Sequence, residues 1–486
     1  MPAQPISAFA DVLPRSADRS RTPVSGTPVV CVQGLGFVGA AMAAAVASAR
    51  GEDGRPAYAV IGVDLPTEDG RSRIAAMNRG AFPFATTDEE LKARIAAAHE
   101  AGNLSACDDP AAFASASVIL VDVPLDVERH RDVPRLALRP FLAALATVGA
   151  HMAPDALVII ETTVPPGTTE RVAAPILREE LSRRGLPTDR MRLAHAYERL
   201  MPGDRYYDSV VNMPRVFAGI DARSAEACEA FLATVIDVER HPLTRLSGTT
   251  ASEVGKVLEN TFRAVTIALM DEWGGFAERT GVDLFEVVSA IRNRPTHRNI
   301  RTPGFGVGGY CLTKDPLMGW LAAREIFGFE QDFPISRLAV EINRDMPMRT
   351  LDTVRRLLDG SLEGRRILLL GLSYREGVGD TRSSPSEVFY RAAREQGAEV
   401  AVHDPLVGRW REQDLDVPAE IPPAEGFDAV VTAVPHEEYR SFDFRRWLGG
   451  RRLLFVDAFD VLGSGRRREL RALGCRVESI GRGEGL

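Results

Sequence analysis

The sequence predicts an α/β protein with two doubly wound domains of parallel strands, joined by a helical middle domain with a long central helix. Three observations predict it. Buried-strand patterns alternate with helical patterns over residues 28–240, as in parallel sheets. Helical periodicity without strand-like runs covers 241–355. The strand–helix alternation then returns over 356–486, so the two outer domains look like a diverged pair.

The elements follow one another in a regular order. The first domain begins with a strand, a glycine turn and an Ala-rich helix in TPVVCVQGLGFVGAAMAAAVASA. Further strands are expected at AYAVIGVDLP, ASVILVDVP, ALVIIETTVPPG and RVFAGI, with a helix between Leu136 and Val148. The long helix is expected in TASEVGKVLENTFRAVTIALMDEWGGFAERTG. In the last domain, a strand in GRRILLLGL is followed by a helix to Gln396 and by the strands AEVAVHDP, FDAVVTAVP and RRLLFVDAF.

Composition narrows the class of protein. The 486 residues are 45% hydrophobic and 26% charged, which is typical of a globular chain with substantial cores. A net charge of −8 argues against a nucleic-acid or anionic-membrane partner. The first 27 residues lack the apolar core of a signal peptide and are expected to be a disordered extension. The longest weakly polar stretch, GFVGAAMAAAVASA, is too short to span a bilayer, so we expect a soluble protein.

The cysteines indicate a reducing compartment. They form an odd, scattered set that suggests neither a disulfide framework nor a zinc or other metal site, and we therefore expect a cytoplasmic protein. They are Cys31, Cys107, Cys228, Cys311 and Cys475.

The hexapeptide GLGFVG links the first strand to the first helix. Gly34, Gly36 and Gly39 have the G-x-G-x-x-G spacing, which serves a tight turn, the approach of a pyrophosphate and close helix packing in turn. The helix N-terminus favours the anionic ligand. Asp64 ends the next strand, where a carboxylate accepts ribose hydroxyls and repels a 2′-phosphate, so NAD is expected rather than NADP. The alternative is a glycine-rich turn of another α/β fold.

Two residue pairs with a spacing of four are candidates for chemistry. Lys256 and Asn260 share one face of the predicted helix and could donate hydrogen bonds to a developing oxyanion, although a solvated helical face is equally consistent. Cys311 follows a run of glycines and precedes Lys314, which could hold the thiol as a thiolate. Asp315 precedes a proline, as a helix N-cap would, and capping does not exclude catalysis. A buried, inert cysteine is the alternative for Cys311.

Eight motifs carry a family resemblance, and they occur in the family's order: GLGFVG, ETTVPPGTTE, YERLMPG, GKVLENTF, GFGVGGYCLTKDP, GDTRSSP, GAEVAVHDP and VTAVPHEEY. On these motifs, residues 28–460 resemble the UDP-glucose/GDP-mannose dehydrogenase family of four-electron nucleotide-sugar 6-dehydrogenases. The resemblance implies two Rossmann-like domains, the first binding NAD and the last binding the nucleotide of a UDP-sugar. It also implies that the helical middle domain forms a homodimer.

The resemblance implies covalent catalysis by Cys311. A hydride leaves C6 of the sugar for NAD, the resulting aldehyde is captured as a thiohemiacetal, a second NAD takes another hydride, and the thioester is hydrolysed. Lys256 and Asn260 would stabilise negative oxygen. Asp315 and Thr163 would hold a water. The acid implicated in base chemistry and hydrolysis is Glu198.

The same motifs assign residues to the two ligands. Those implied to bind NAD are Gly34, Gly36, Phe37, Val38, Gly39, Asp64, Pro124, Thr163, Lys314 and Arg382. Those implied to bind the UDP-sugar are Glu198, Arg199, Lys256, Asn260, Phe305, Gly306, Gly308 and Arg375. The glycines before Cys311 are expected to let the sugar C6 reach the sulfur.

Departures from the family pattern bear on the substrate. Leu125 replaces a threonine that often follows Pro124, and Arg375 replaces a lysine. ERLMPG resembles the pattern of members that oxidise UDP-N-acetylhexosamines, whereas Lys314 is closer to the UDP-glucose type. UDP-GlcNAc or UDP-ManNAc is therefore favoured over UDP-glucose, and the product would be a uronic acid for a surface polysaccharide.

Two rival functions remain at this point. A two-electron dehydrogenase of the hydroxy-acid type could share the three-part layout, but it would not need Cys311. A catalytically silent nucleotide-sugar binding protein would not need the full set of catalytic positions that this sequence contains.

Overall fold

A computed structural model describes residues 27–130, 133–201 and 203–483. The extension predicted for residues 1–27 therefore lies, except for Thr27, outside the described residues. The strands are β1 (Val29–Gln33), β2 (Ala59–Val63), β3 (Leu104–Cys107), β4 (Ala116–Val121), β5 (Asp126–His130), β6 (Val133–Ala137), β7 (Leu157–Ile160), β8 (Arg192–Tyr197), β9 (Val216–Gly219), β10 (Thr244–Arg245), β11 (Arg366–Leu370), β12 (Glu399–His403), β13 (Arg409–Trp410), β14 (Leu415–Asp416), β15 (Ala429–Thr432), β16 (Leu454–Asp457) and β17 (Arg476–Ser479).

The helices connect these strands and form the middle of the chain. They are α1 (Phe37–Ser48), α2 (Glu68–Met77), α3 (Glu89–Glu100), α4 (Leu138–His151), α5 (Ala174–Arg183), α6 (Tyr206–Val211), α7 (Ala222–Val235), α8 (Thr249–Thr280), α9 (Leu284–Arg292), α10 (Met318–Ala322), α11 (Pro334–Leu357), α12 (Pro385–Glu395), α13 (Glu437–Ser441), α14 (Phe444–Leu448) and α15 (Gly463–Ala472). Within the described residues, no helix is both long and apolar enough to cross a membrane.

The first sheet has the strand order β10-β9-β8-β7-β4-β1-β2-β3. Its strands are parallel except at the β8–β9 pair, which is antiparallel. The central strands are apolar and buried on both faces because helices cover both sides of the sheet. The strand order reverses between β1 and β4, and ligands of doubly wound sheets bind in the crevice at such a point.

The second sheet has the order β12-β11-β15-β16-β17 and is parallel throughout. It repeats the opening turn of the first domain. Gly34 has φ +92° and donates its N–H to the carbonyl of Val63, and Gly371 has φ +104° and donates to that of His403. These features confirm the predicted α/β class and make the two outer domains structural counterparts.

The middle of the chain is built on α8, which has 32 residues and ends at Gly281 in the left-handed conformation (φ +75°). Helix α11 packs against it. The side-chain amide of Asn343 donates to the carbonyl of Ala264 at 3.0 Å, and Arg349 forms an ion pair with Asp271 at 2.9 Å. The site residues on α8 therefore sit on a braced helix.

The hairpin β5–β6 was not predicted from the sequence. It pairs Asp126 with Ala137 and Val127 with Leu136. The helix that was predicted to begin at Leu136 therefore begins at Leu138. The hairpin lies against the middle domain, where Arg324 donates to the carbonyl of Pro134 at 3.1 Å. Its support comes from residues far along the chain, which local periodicity does not reveal.

Glu253 ties α8 to the first domain. This buried carboxylate accepts hydrogen bonds from the N–H of Gly167 at 2.6 Å, and from the N–H and hydroxyl of Thr169 at 2.7 and 2.6 Å. Burial raises the pKa of Glu253 to about 7 despite these bonds. The segment after β7 is thus anchored one turn before Lys256.

We expect Glu253→Gln to lower the stability of the protein at pH 8 by about 1–3 kcal/mol, because an amide nitrogen cannot accept a hydrogen bond and leaves a buried donor unbonded. Differential scanning calorimetry would show a lower unfolding midpoint. Glu272→Gln, at an exposed position of the same helix, is the matched control and should leave the midpoint unchanged. Equal midpoints for the two variants would contradict the anchoring role.

Candidate active site

The glycine turn has the shape that a dinucleotide needs. A Cβ on Gly34 would lie 2.8 Å from the carbonyl oxygen of Asp122, and one on Gly39 would lie 1.9 Å from that of Gly34. A Cβ on Gly36 would meet nothing within 4 Å, so this glycine faces open space at the N-terminus of α1. Turn, helix packing and pyrophosphate approach are thus divided among the three glycines as the motif predicts, and the residues fit NAD.

Asp64 lies at the end of β2, where the ribose would bind, but it already has protein partners. The N–H of Leu35 donates to Oδ2 at 3.0 Å and that of Leu65 to Oδ1 at 2.7 Å. Arg73 from α2 donates to both oxygens, at 2.8 and 3.1 Å. Arg73 was not predicted from the sequence to lie at this site. A ribose diol would have to share the carboxylate with this guanidinium.

The loop before Cys311 is seated on the C-terminal domain. A Cβ on Gly306 would lie 2.6 Å from that of Pro385, and one on Gly308 would lie 2.7 Å from the carbonyl oxygen of Ser383. Gly309 has φ +79°. The absence of side chains at these positions lets the loop pack against the start of α12, and it thereby sets where the thiol lies.

Asp315 is buried with no solvent exposure just after the loop. The side-chain amide of Asn260 donates to Oδ2 at 2.7 Å, and the Lys314 ammonium donates to Oδ1 at 2.8 Å. The backbone N–H of Asp315 donates to the carbonyl of Cys311 at 2.9 Å. The cysteine loop is therefore bonded to α8 through this carboxylate, and Asp315 does not cap a helix with its side chain.

Lys256 lies one turn before Asn260 and contacts Glu198. Its ammonium donates to the Glu198 carbonyl at 2.6 Å and to Oε1 at 3.2 Å, while Oε2 accepts from the N–H of Leu200 at 2.5 Å. Burial alone would raise the pKa of Glu198, but Lys256, the Leu200 N–H and Arg215 outweigh it and lower the pKa. Glu198 is ionised at neutral pH.

Cys311 is an exposed residue, but its thiol is closely surrounded by protein groups. Burial raises its pKa to about 11, and the charges of Asp315 and Glu198 add to this shift. Lys256 and Lys314 only partly offset it. The expectation that a lysine would hold the resting thiol as a thiolate is therefore wrong for the unliganded protein. Burial and the nearby Asp315 contribute most to the raised pKa, and Glu198 adds to it from another part of the chain.

A row of buried charged residues at the ends of the parallel strands was also missed. Asp122 follows β4, Glu161 follows β7, and Arg215 precedes β9 and lies 3.2 Å from Glu161. Buried His195 on β8 shares a 2.8 Å hydrogen bond with Ser252 of α8, and burial, aided by Lys256, lowers its pKa to about 3. The signal was available, because a charged residue directly after an apolar run marks the carboxyl edge of a strand.

Other predicted ligand residues lie at the borders of the site. Arg382 pairs with Asp380 at 2.7 Å and has its guanidinium carbon 5.3 Å from the ring centre of Phe37, so the C-terminal domain reaches the glycine turn. Val38 is partly buried beside Phe37. The Arg375 guanidinium lies 3.9 Å from the position of a Cβ on Gly203, so it faces the ERLMPG segment.

Three predicted residues are placed less directly. Phe305 is 2% exposed and packs against Phe389 of α12, so its side chain belongs to the core of the C-terminal domain. Arg199 donates to Glu259 and to the Pro214 carbonyl, at 2.6 Å for the latter, and so ties the Glu198 segment to its neighbours. Thr163 is partly buried and has no direct hydrogen bond within the described ranges.

Pro124 is exposed beside the switch point of the first sheet, while Leu125 is fully buried in the core of that domain. Leucine has no hydroxyl, so a side-chain hydrogen bond from this position to the ribose is absent from this chain.

These features define a nicotinamide-dependent dehydrogenase. They are the glycine turn, the carboxylate at the end of β2, and the site in which lysines and carboxylates surround Cys311. Models of the UDP-glucose/GDP-mannose dehydrogenase family match most of the chain: the NAD binding domain at residues 29–236, the central domain at 250–345 and the UDP binding domain at 368–464. The chain belongs to this family. It is an NAD-dependent nucleotide-sugar dehydrogenase.

The similarity to individual relatives also extends over most of the chain. The UDP-N-acetyl-D-mannosamine dehydrogenase of Pyrococcus horikoshii is 32% identical over 85% of this chain and 91% of its own length. A UDP-D-ManNAc dehydrogenase structure from that organism has a TM-score of 0.77 at 29% identity, covering 94% of this chain and 100% of the other. A Pyrobaculum islandicum UDP-glucose dehydrogenase structure has a TM-score of 0.77 at 25% identity, covering 96% of this chain and 100% of the other.

We expect Cys311 in the unliganded protein to be alkylated slowly by iodoacetamide at pH 8, with a rate that rises about tenfold per pH unit from pH 7 to 10, because only the thiolate reacts. Asp315→Asn should speed the reaction at pH 8, since it removes a like charge. Mass spectrometry of timed samples gives the rate, and Cys311→Ser gives the background from the other cysteines. A rate that levels off below pH 9 would contradict the raised pKa.

Proposed function

We propose that the protein oxidises the C6 hydroxyl of a UDP-N-acetylhexosamine, with UDP-N-acetylmannosamine as the first candidate, to the uronic acid with two molecules of NAD. One observation carries the proposal: Cys311, an exposed residue, lies beside two buried groups of charges. Lys256 pairs with Glu198 on one side. Asp315 pairs with Lys314 and is bonded to Asn260 on the other.

The residues divide the chemistry among them. Bound NAD supplies the hydride acceptor. Lys256 and Asn260 carry donors that can stabilise negative charge on the C6 oxygen. Because Cys311 is protonated at neutral pH, its attack on an aldehyde requires that its proton pass to a base. Glu198 is ionised, and its charge acts directly on this thiol.

Hydrolysis of a thioester then needs a water and a base beside the sulfur. Both oxygens of Asp315 accept one side-chain hydrogen bond each, so each retains capacity for another. Thr163 lies on the segment after β7 with its hydroxyl uncommitted among the described residues, which supports its role as a second contact for the water. All five cysteines are free, as a thiol mechanism in a reducing cytoplasm requires.

The choice of sugar rests on two supports. The segment ERLMPG resembles that of members acting on N-acetylhexosamines, and the similar protein of Pyrococcus horikoshii is named for UDP-N-acetyl-D-mannosamine. UDP-glucose is the second candidate, favoured by Lys314 and by the similarity to the Pyrobaculum islandicum UDP-glucose dehydrogenase.

We also propose a homodimer formed through α8. One side of this helix carries large apolar side chains that are exposed in the single chain and repeat at helical spacing, as an interface would. They are Val254 (43% exposed), Leu258 (61%), Phe262 (49%), Leu269 (45%), Trp273 (50%) and Phe276 (58%).

We expect two NADH per UDP-N-acetylmannosamine consumed, because one oxidation gives the aldehyde and the second gives the acid. Cys311→Ser should form no more than one NADH per sugar and no acid, since it lacks the sulfur that holds the aldehyde for the second step. NADH absorbance together with mass spectrometry of the sugar product measures both quantities.

A panel of UDP-ManNAc, UDP-GlcNAc, UDP-glucose and GDP-mannose tests the substrate in the same assay. One NADH per sugar in the unmodified enzyme would support the two-electron rival. UDP-sugar binding without NADH formation from any of the four would support the silent binding protein. A preference for UDP-glucose would show that the proposed sugar is wrong, but it would not contradict the proposed mechanism.

We expect Leu258→Glu/Trp273→Glu to yield a monomer at concentrations where the unmodified chain is a dimer, because two buried carboxylates per chain would face an apolar interface. Light scattering coupled to size-exclusion chromatography gives the mass. Leu65→Glu, at a residue 64% exposed on the first domain, is the matched control and should leave the mass unchanged. A monomeric unmodified chain would contradict the proposed dimer.

A further inference from the structure

Arg215 is a fully buried arginine at the edge of the first sheet, and no ligand role is assigned to it. Its Nη1 lies 3.2 Å from Oε1 of Glu161, and its Nη2 lies 3.2 Å from the sulfur of Met42. Its Nε has no partner among the described residues. Arginines are rarely buried so completely, and a buried ion pair seldom adds stability over an apolar pair. Stability alone therefore does not account for this buried arginine.

The strand register places Arg215 beside Glu198. The antiparallel pair β8–β9 aligns Tyr197 with Val216, so the next position outward sets Glu198 opposite Arg215. Arg199 bonds to the carbonyl of Pro214 at 2.6 Å and holds the two segments together beyond the last pair. Glu198 therefore has a cation on each of two elements packed against it, Lys256 from α8 and Arg215 from the start of β9.

The charges around Glu198 balance only if one acid carries a proton. The titratable and charged groups that act on it or feel its charge are Lys256, Arg215, Glu161, Asp122, Tyr206 and Cys311. Tyr206 and Cys311 are neutral at pH 7, because burial raises the pKa of both. This leaves two cations and three carboxyl groups.

Of the three carboxyl groups, Asp122 has the environment that most favours a proton. Neither of its oxygens has a hydrogen-bond partner among the described residues, and no cation is bonded to it. Burial, together with Glu161 and Glu198, raises the pKa of Asp122 well above its usual value. The pKa of Glu161 is raised to about 7 by burial, against the opposing effect of Arg215. As the pH falls through 7, Glu161 takes up a proton, and the Arg215 charge is left to act on Glu198.

We propose that Arg215 is a positioning residue that, together with Lys256, keeps the Glu198 carboxylate ionised beside Cys311, with Glu161 and Asp122 as its proton-holding counterparts. The inference rests on the proposed role of Glu198 as the base. Each proton taken from substrate or thiol needs an ionised carboxylate, and a buried one loses its charge without nearby cations. Arg215 supplies such a charge from beneath the site without contacting the substrate.

The test compares the removal of the whole ion pair with the removal of its acid alone. Arg215→Met/Glu161→Gln replaces the pair by neutral groups of similar size, a change that buried pairs often tolerate. Glu161→Gln breaks the same pair but keeps the cation, so it is the matched control for structural damage. Asp122→Asn replaces a neutral acid by a neutral amide. Infrared titration of the carboxyl band, assigned with Glu198→Gln, reads the pKa of Glu198 without turnover.

We expect the double variant to raise the pKa of Glu198 by about one unit or more, a tenfold change in proton affinity, and to move the acid limb of NADH formation to higher pH by the same amount. Glu161→Gln and Asp122→Asn should not raise it. An unchanged pKa in the double variant would overturn the inference, and so would an equal rise in Glu161→Gln, since the latter would mean a loosened structure. If the infrared titration gave the expected pKa changes but the unmodified enzyme formed no NADH, the result would count against the proposed function and not against the role of Arg215.

Discussion

The buried carboxylate of Asp315 is the constraint on which the site depends. It has no contact with solvent, and each of its oxygens accepts a hydrogen bond, one from Asn260 on α8 and one from Lys314 beside it. A buried carboxylate without such donors would be strongly unfavourable. The loop that carries Cys311 can therefore take only the position in which Asp315 meets Asn260, and the thiol is brought to α8 as a result.

Helix α8 is the common frame for three contacts made at successive turns. Glu253 binds the segment after β7, Lys256 binds Glu198 after β8, and Asn260 binds the cysteine loop. These positions are three and four residues apart, so they share one face of the helix. The other side carries the exposed apolar residues from Val254 to Phe276. One helix thus orders the chemistry on one side and offers a surface for a second chain on the other.

The parts of the structure that are local in sequence were the parts that could be predicted. The glycine turn, the helix at Thr249 and the shared face of Lys256 and Asn260 each follow from spacing alone. Features that depend on distant partners could not be predicted in this way. The β5–β6 hairpin needs the middle domain, and the resting state of Cys311 depends on burial and on the charge of Glu198 as well as on the nearby Asp315. How deeply a thiol is buried and which distant charges reach it are set by three-dimensional packing, which spacing along the chain does not reveal.

The two outer domains share an opening turn, but the surroundings of this turn differ between them. In the second domain Asp404 occupies the place of Asp64. It is buried and accepts hydrogen bonds from the N–H groups of Leu372 and Ser373, and His436 lies beside it. Ser373 also stands where the first domain has the open Gly36. Within the described residues, one turn per chain thus remains open to a dinucleotide. The proposed four-electron oxidation on a single such turn would require the reduced cofactor to leave and an oxidised one to enter between the two hydride transfers. A covalent tether to sulfur would keep the half-oxidised sugar in place during that exchange.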